Sequence, residues 1–146
     1  MTVSRSTSIL AEVALRLVVP DGGALPVHAR LRYDTGDPYA VHVAFQTGGA
    51  EDDTEVVWTF ARQLLADGLE TAAGIGDVRV WPWTDQGASV VAIALSSPSG
   101  QALFEAPRDA LAHFLRRTYA EVAPGMESEH VDLDFELATL LWDQRP

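Results

Sequence analysis

Residues 34–36 read Asp34-Thr35-Gly36, inside the run LRYDTGDPYAVHVAF. The same triplet carries the catalytic acids of aspartic proteases, where two such carboxylates share one proton. The chain holds the triplet once, so a second carboxylate would have to come from a symmetric partner. Its flanks point elsewhere. Arg32 precedes it and Asp37-Pro38 follows, where a protease loop would be apolar. A turn accounts for every residue. Asp34 accepts backbone donors, Gly36 supplies a positive φ, and Pro38 forces Asp37 into an extended conformation. The expectation is a structural turn built from Asp34, Gly36, Asp37 and Pro38, flanked by Tyr33 and Tyr39, and not a catalytic acid.

The other chemistry-bearing residues are scattered. His28 and His42 fall on neighbouring predicted strands, where they could stand side by side with Asp34 or Asp37 as a third metal ligand. Two half-exposed strand residues are the simpler reading. His113 falls on a predicted helix beside apolar positions, at the edge of its buried face, and His130 near the first turn of another. No HxxxH or HExxH spacing occurs, so no metal site is expected. GIGDV lacks the GxGxxG spacing and precedes a strand, not a helix. The chain has no lysine, hence no Walker motif. Ser96, Ser97 and Ser99 lie in a turn without a GxSxG elbow. Glu51-Asp52-Asp53 reads as a solvated loop tip. No set of nucleophile, base and oxyanion donor emerges, and neither an enzyme nor a cofactor is expected.

Composition narrows the classes further. The 146 residues suit one domain, 1–146, large enough to bury a core. There is no cysteine, so disulfides, thiolate catalysis and Cys-based zinc sites are excluded. The N-terminus lacks the basic end and apolar run of a signal peptide, and no apolar run approaches the ~20 residues of a membrane span. A soluble, cytoplasmic protein is the expectation. The net charge of -11 would repel a phosphate backbone unless a basic patch overcame it. Arg116-Arg117 is the one adjacent basic pair, and Arg30 and Arg32, on one strand face, are followed at once by Asp34 and Asp37.

The elements follow from periodicity. Residues 1–8 are small and polar and read as a frayed lead. Val13, Leu15, Leu17 and Val19 alternate with Ala14, Arg16 and Val18, a strand signature. PDGGALP is a turn cluster. Val27, Ala29, Leu31 and Tyr33 alternate with His28, Arg30 and Arg32. After DTGDP, Val41, Val43 and Phe45 stand opposite His42. TEVVWTF is a fourth strand. ARQLLADGL is a short helix, with Gly68 where a C-terminal glycine belongs. VRVWPW is a strand cut by Pro82, SVVAIALSS a central strand, and QALFEA its hairpin partner. Pro107 suits a first helical turn. Leu111, Phe114, Leu115 and Thr118 follow at helical spacing. In the tail DLDFELATLLW, Leu133, Leu137, Leu140 and Leu141 make a helical stripe. Two strand-meander-plus-helix halves and a C-terminal helix predict an α+β fold with antiparallel sheets.

The blocks LRYDTGDPYAVHVAF, WTFARQLLADGL, GIGDVRVWPW, VAIALSSPSGQALFEAP and FLRRTYAEVAPG resemble, in order and spacing, the SsgA-like proteins of actinobacteria. The likeness runs from about Val13 to Leu141. It departs at the longer N-terminus and at the acidic loop GGAEDDTE, and Gly36 stands where many members carry Ala. The resemblance implies a non-enzymatic regulator of sporulation-specific cell division, which positions septation and remodels the septal wall. One branch recruits the tubulin-like protein FtsZ. The implied partners are division proteins such as FtsZ or a septum-localised adaptor, and the implied location is the cytoplasm at the division septum. The resemblance also implies a fold similar to the whirly proteins, which bind single-stranded nucleic acid, and a compact trimer. Nucleic-acid binding of the whirly type is the alternative function, and the acidity of this chain argues against it.

Two surfaces follow from this reading. Val90, Val91, Ile93 and Leu95 are a surplus of apolar strand positions that favours a homo-oligomer. In the tail, Phe135 and Trp142 are seven residues apart and share a line away from the leucine stripe. Asp132, Asp134 and Glu136 surround them in sequence. Exposed aromatics ringed by carboxylates suit a basic partner surface. Packing inside the domain or the oligomer is the competing reading.

Overall fold

The computed structural model of the protein describes residues 6–46 and 55–131. Alternating apolar residues build β1 (Ser8–Val18), β2 (Ala24–Asp34), β3 (Ala40–Gln46) and β4 (Glu55–Ala61). The helix α1 (Arg62–Gly68) follows. Then come β5 (Val78–Asp85), β6 (Ala88–Ser97), β7 (Gly100–Pro107) and α2 (Arg108–Glu121). A 3-10 turn, Glu127–His130, ends the described chain. The C-terminal helix expected over the tail lies outside the described residues.

The two expected halves form one antiparallel sheet of seven strands, ordered β4-β3-β2-β1-β7-β6-β5. Their seam is short. β1 pairs with β2 along its whole length, but only Arg16, Leu17 and Val18 pair with β7, opposite Glu105, Phe104 and Leu103. Beyond the seam α2 stands beside the open flank of β1, and Arg117 Nη1 donates to the Leu10 carbonyl at 2.8 Å. The sheet also curls. Phe45 on β3 stacks on Phe104 on β7 with ring centroids 4.6 Å apart. Three inter-strand steps in a flat sheet would separate those strands by about 14 Å. Curling turns Val27, Ala29, Leu31, Tyr33, Val41, Val43 and Phe45 inward, onto Val91, Ile93, Leu95 and Phe104. Helix α2 adds Leu111, Phe114, Leu115 and Thr118, the residues its spacing selects.

One buried cation ties the helices to this core. Arg62, the first residue of α1, is 2% exposed. Its guanidinium carbon lies 5.0 Å from the ring centroids of both Tyr33 and Tyr119. Nη1 donates to the Val122 carbonyl at 2.7 Å, and Nη2 to Glu127 Oε1 at 2.8 Å. Burial pushes the Tyr33 phenol up to about 12, even against the lowering effect of Arg62, so the ring stays neutral. Arg62 holds the Glu127 carboxyl below the usual range, with help from the backbone N–H groups of Glu127 and Gly125.

Several local expectations are corrected. Gly36 does not take a positive φ; its α-carbon faces Ser6, whose Cβ would lie 3.3 Å from an added methyl. The turn closes instead through Asp37 N–H on the Asp34 carbonyl at 2.9 Å, and through Tyr33 O–H on the Pro38 carbonyl at 2.9 Å. Gly68 is no left-handed cap either. It ends α1 against β5, where a Cβ would meet Val80 Cγ1 at 2.3 Å. Pro82 does not cut its strand, because β5 is a sheet edge and can spare a ladder N–H. β6 has a neighbour on each side, but the centre of the sheet is β1. Thr7 and Ser8, read as frayed, are anchored: Thr7 N–H donates to Thr35 Oγ1 at 2.8 Å, and Ser8 pairs with Asp34.

Two stability predictions follow from these contacts. Arg62→Lys keeps the charge but loses the planar stacking and the fork of donors, so urea unfolding should show a loss of about 3 kcal/mol. Gly68→Ala should cost about 2–3 kcal/mol through the clash with Val80. Gly36→Ala, by contrast, should change stability by less than about 1 kcal/mol, since its backbone suits an L residue.

Candidate interaction surface

The acid of the Asp34-Thr35-Gly36 triplet sits at the end of β2. Its oxygens are taken by the Ser8 hydroxyl and, at 3.2 Å, by Arg32 Nε. Thr35 N–H donates to the Thr7 carbonyl at 2.9 Å. Every one of these contacts closes the turn, and none brings up a second carboxylate. His28 and His42 are not cross-strand neighbours: His28 stands opposite Gln46, and His42 opposite Arg32. The register separates them by four residues along β2. His28 lies 3.5 Å from Glu12, while His42 meets Thr59 Oγ1 at 3.0 Å and Asp37 at 3.6 Å. His113 and His130 are exposed. Among the described residues no three His, Asp or Glu side chains converge on a metal position. Ser97 and Ser99 bond to each other in the β6–β7 turn. The tail set Asp132, Asp134, Phe135, Glu136 and Trp142, and the loop acids 51–53, lie outside the described residues.

One carboxyl has a perturbed environment. Glu105 is 9% exposed, at the seam opposite Arg16. Burial raises its pKa, as do the hydrogen bond and negative charge of Asp85, and Arg16 opposes them. Arg16 in turn lies 3.4 Å from Asp85. The seam therefore brings two acids and one arginine together.

The outward face of β1–β4 is more distinctive. Register places Leu10, Arg32, His42 and Thr59 in one row, and Glu12, Arg30, Ala44 and Val57 in the next. Ala44 is the short member, and a concavity of about 340 Å³ opens around it. Leu10, 51% exposed, and Val57, 56% exposed, wall it. Arg30, Arg32, His42 and Glu55 supply its polar lining. No sequence motif and no excess of basic residues marks this surface. The alternation of Arg30 and Arg32 was the available signal, and it was offset on paper by Asp34 and Asp37. An apolar cleft of about 280 Å³ lies between the curled halves, lined by Phe45, Trp58, Leu95 and Phe104 among others. No helix among the described residues is long and apolar enough to cross a membrane.

Comparison with known proteins converges on one group. The family model "Streptomyces sporulation and cell division protein, SsgA" matches residues 27–127. The sporulation-specific cell division protein SsgB of Salinispora tropica is 57% identical over 141 residues, covering 97% of this chain and 98% of that protein. Among solved structures, the Thermobifida fusca SsgA-like sporulation-specific cell division protein is 49% identical with a TM-score of 0.82, covering 95% of this chain and 98% of that one. A Streptomyces coelicolor SsgB structure, described with mutations that correlate to longitudinal cell division during sporulation, is 56% identical with a TM-score of 0.81. It covers 86% of this chain and 96% of its own.

The carboxyl at the seam has a testable sign. Its folded pKa is raised, so the stability it contributes is full below the unfolded value and is lost as pH rises through the folded one. Glu105→Gln removes the ionisation and keeps the shape. The variant should melt a few degrees higher than the parent near about pH 8, with the gain vanishing near about pH 4, below the unfolded pKa. A thermal melt series that gives the opposite order at about pH 8 would mean that Arg16 holds Glu105 ionised.

Proposed function

The chain belongs to the SsgA family of sporulation and cell division proteins, and from that membership we propose that it serves sporulation-specific cell division as an adaptor without catalytic activity. It binds division proteins through its surface, in the cytoplasm at the septum. There it recruits or positions FtsZ, or directs remodelling of the septal wall. The working form is a homo-oligomer, with a trimer as the expected state. The observation that carries the reading is the end-to-end match to SsgB of Salinispora tropica, 57% identical over 97% of the chain. The geometry is consistent with this role: Asp34 is engaged in the turn that follows β2, and Glu105 at the seam. The tail residues Asp132, Asp134, Phe135, Glu136 and Trp142 are a candidate contact set for a basic partner.

The test is genetic and visual. Deletion in the sporulating host should leave aerial filaments without regular septa, and a fluorescent fusion that restores septation should form ladders coincident with FtsZ. Normal spore septation in the deletion strain, or a functional fusion spread evenly through sporulating filaments, would overturn the proposal.

A further inference from the structure

We propose that the outward face of β1–β4 docks an acidic, extended segment of a partner protein, with one large apolar side chain of that segment seated on Leu10, Ala44 and Val57. The inference rests on the reading of the chain as an adaptor and assigns the surface that reading lacks.

Charge is the first argument. The chain carries 21 acidic and 10 basic residues. The concavity reverses that balance, with Arg30, Arg32 and His42 against Glu55. Arg30 makes no ion pair among the described residues. Arg32 is held by Asp34 through Nε, which leaves both of its Nη groups without a partner among the described residues. Two further acids border the dent, Glu12 at 3.5 Å from His28 and Asp37 at 3.6 Å from His42, and neither forms an ion pair with Arg30 or Arg32. Two guanidinium groups with open donors are the natural receivers of carboxylates, since each can bind one in a planar fork.

The second argument is the apolar wall. Leu10 and Val57 are more than half exposed. Two sheet positions, Arg32–His42 and Arg30–Ala44, separate them in the grid of paired residues. Ala44 removes the side chain that would otherwise fill the space between Arg30 and Val57. The dent is thus apolar at its ends and cationic in its floor. An extended peptide places alternate side chains on one side, so an acidic–apolar–acidic pattern would set its apolar residue in the dent and its carboxylates over Arg30 and Arg32. A single-stranded nucleic acid would also meet the arginines, but Leu10 and Val57 offer no donor to a sugar or phosphate, and the net charge of -11 opposes a long polyanion far more than a segment with a few carboxylates.

The experiment pans a random dodecamer peptide library on the full-length protein, with no assumption about the natural partner. The enriched peptides should be acidic and carry a large aliphatic or aromatic residue between the acids. Their affinity should fall at least tenfold for Arg30→Ser with Arg32→Ser, and at least tenfold for Leu10→Ser with Val57→Ser. Circular dichroism and light scattering check that both variants keep the fold and the oligomeric mass. Peptides without an acidic bias, no enrichment, or equal binding to the arginine variant would overturn the proposal. So would a change of oligomeric mass in folded variants, which would make the face a contact between copies, or oligothymidylate binding that depends on the same arginines. Failure here leaves septal localisation untouched, so it is distinguishable from failure of the adaptor reading.

Discussion

Arg62 carries a full charge into a place where water does not follow, and four elements are arranged around that fact. An isolated buried guanidinium would cost several kcal/mol in lost hydration. Here its guanidinium lies over the rings of both Tyr33 and Tyr119, and its donors meet the Val122 carbonyl and Glu127. Tyr33 belongs to β2, Tyr119 to α2, and Glu127 to the 3-10 turn. Any shift of α1 would leave at least one of these partners unmet. The same Tyr33 spans the Asp34–Pro38 turn through its hydroxyl. The turn, the helix pair and the end of the described chain are therefore one cooperative unit.

The curled sheet depends on that unit and decides what the protein can offer to others. Only three residue pairs join β1 to β7. So short a seam does not by itself hold two meanders together. The stacked Phe45 and Phe104 close the inner side, and the Arg16–Asp85–Glu105 group closes the outer side at the seam. Away from the seam, no other described element packs over the outer face of β1–β4, and Leu10 and Val57 are more than half exposed there. The family to which the chain belongs is described by a role in sporulation and cell division.

Much of this was legible in the chain. Strict alternation fixed which faces of β2 and β3 turn inward, because a strand's side chains can point only two ways: Val27, Ala29, Leu31 and Tyr33 on one, Val41, Val43 and Phe45 on the other are all buried. Helical spacing selected Leu111, Phe114, Leu115 and Thr118 for the same reason. The Asp34–Pro38 turn and the family likeness could be read from local residue types. Gly36 and Gly68 were misread because glycine has two uses, freedom in φ and absence of a side chain, and a sequence does not say which applies.

What the sequence by itself determined is local: element type, the inward face of each element, and family membership through motifs in order. Tertiary structure alone decided how the two meanders join, that Arg62 is a buried strut whereas Arg108, which also opens a helix, stays half exposed with Glu70, and that Glu105 gives up its solvent. It also decided that Leu10, Arg30, Arg32, Ala44 and Val57 share one dent, although they come from four strands. The physical reason is range. Periodicity and turn chemistry act between residues a few positions apart, so a single segment reveals them. Burial of a charge and the sharing of a surface depend on residues tens of positions apart, and only the closed fold brings those together.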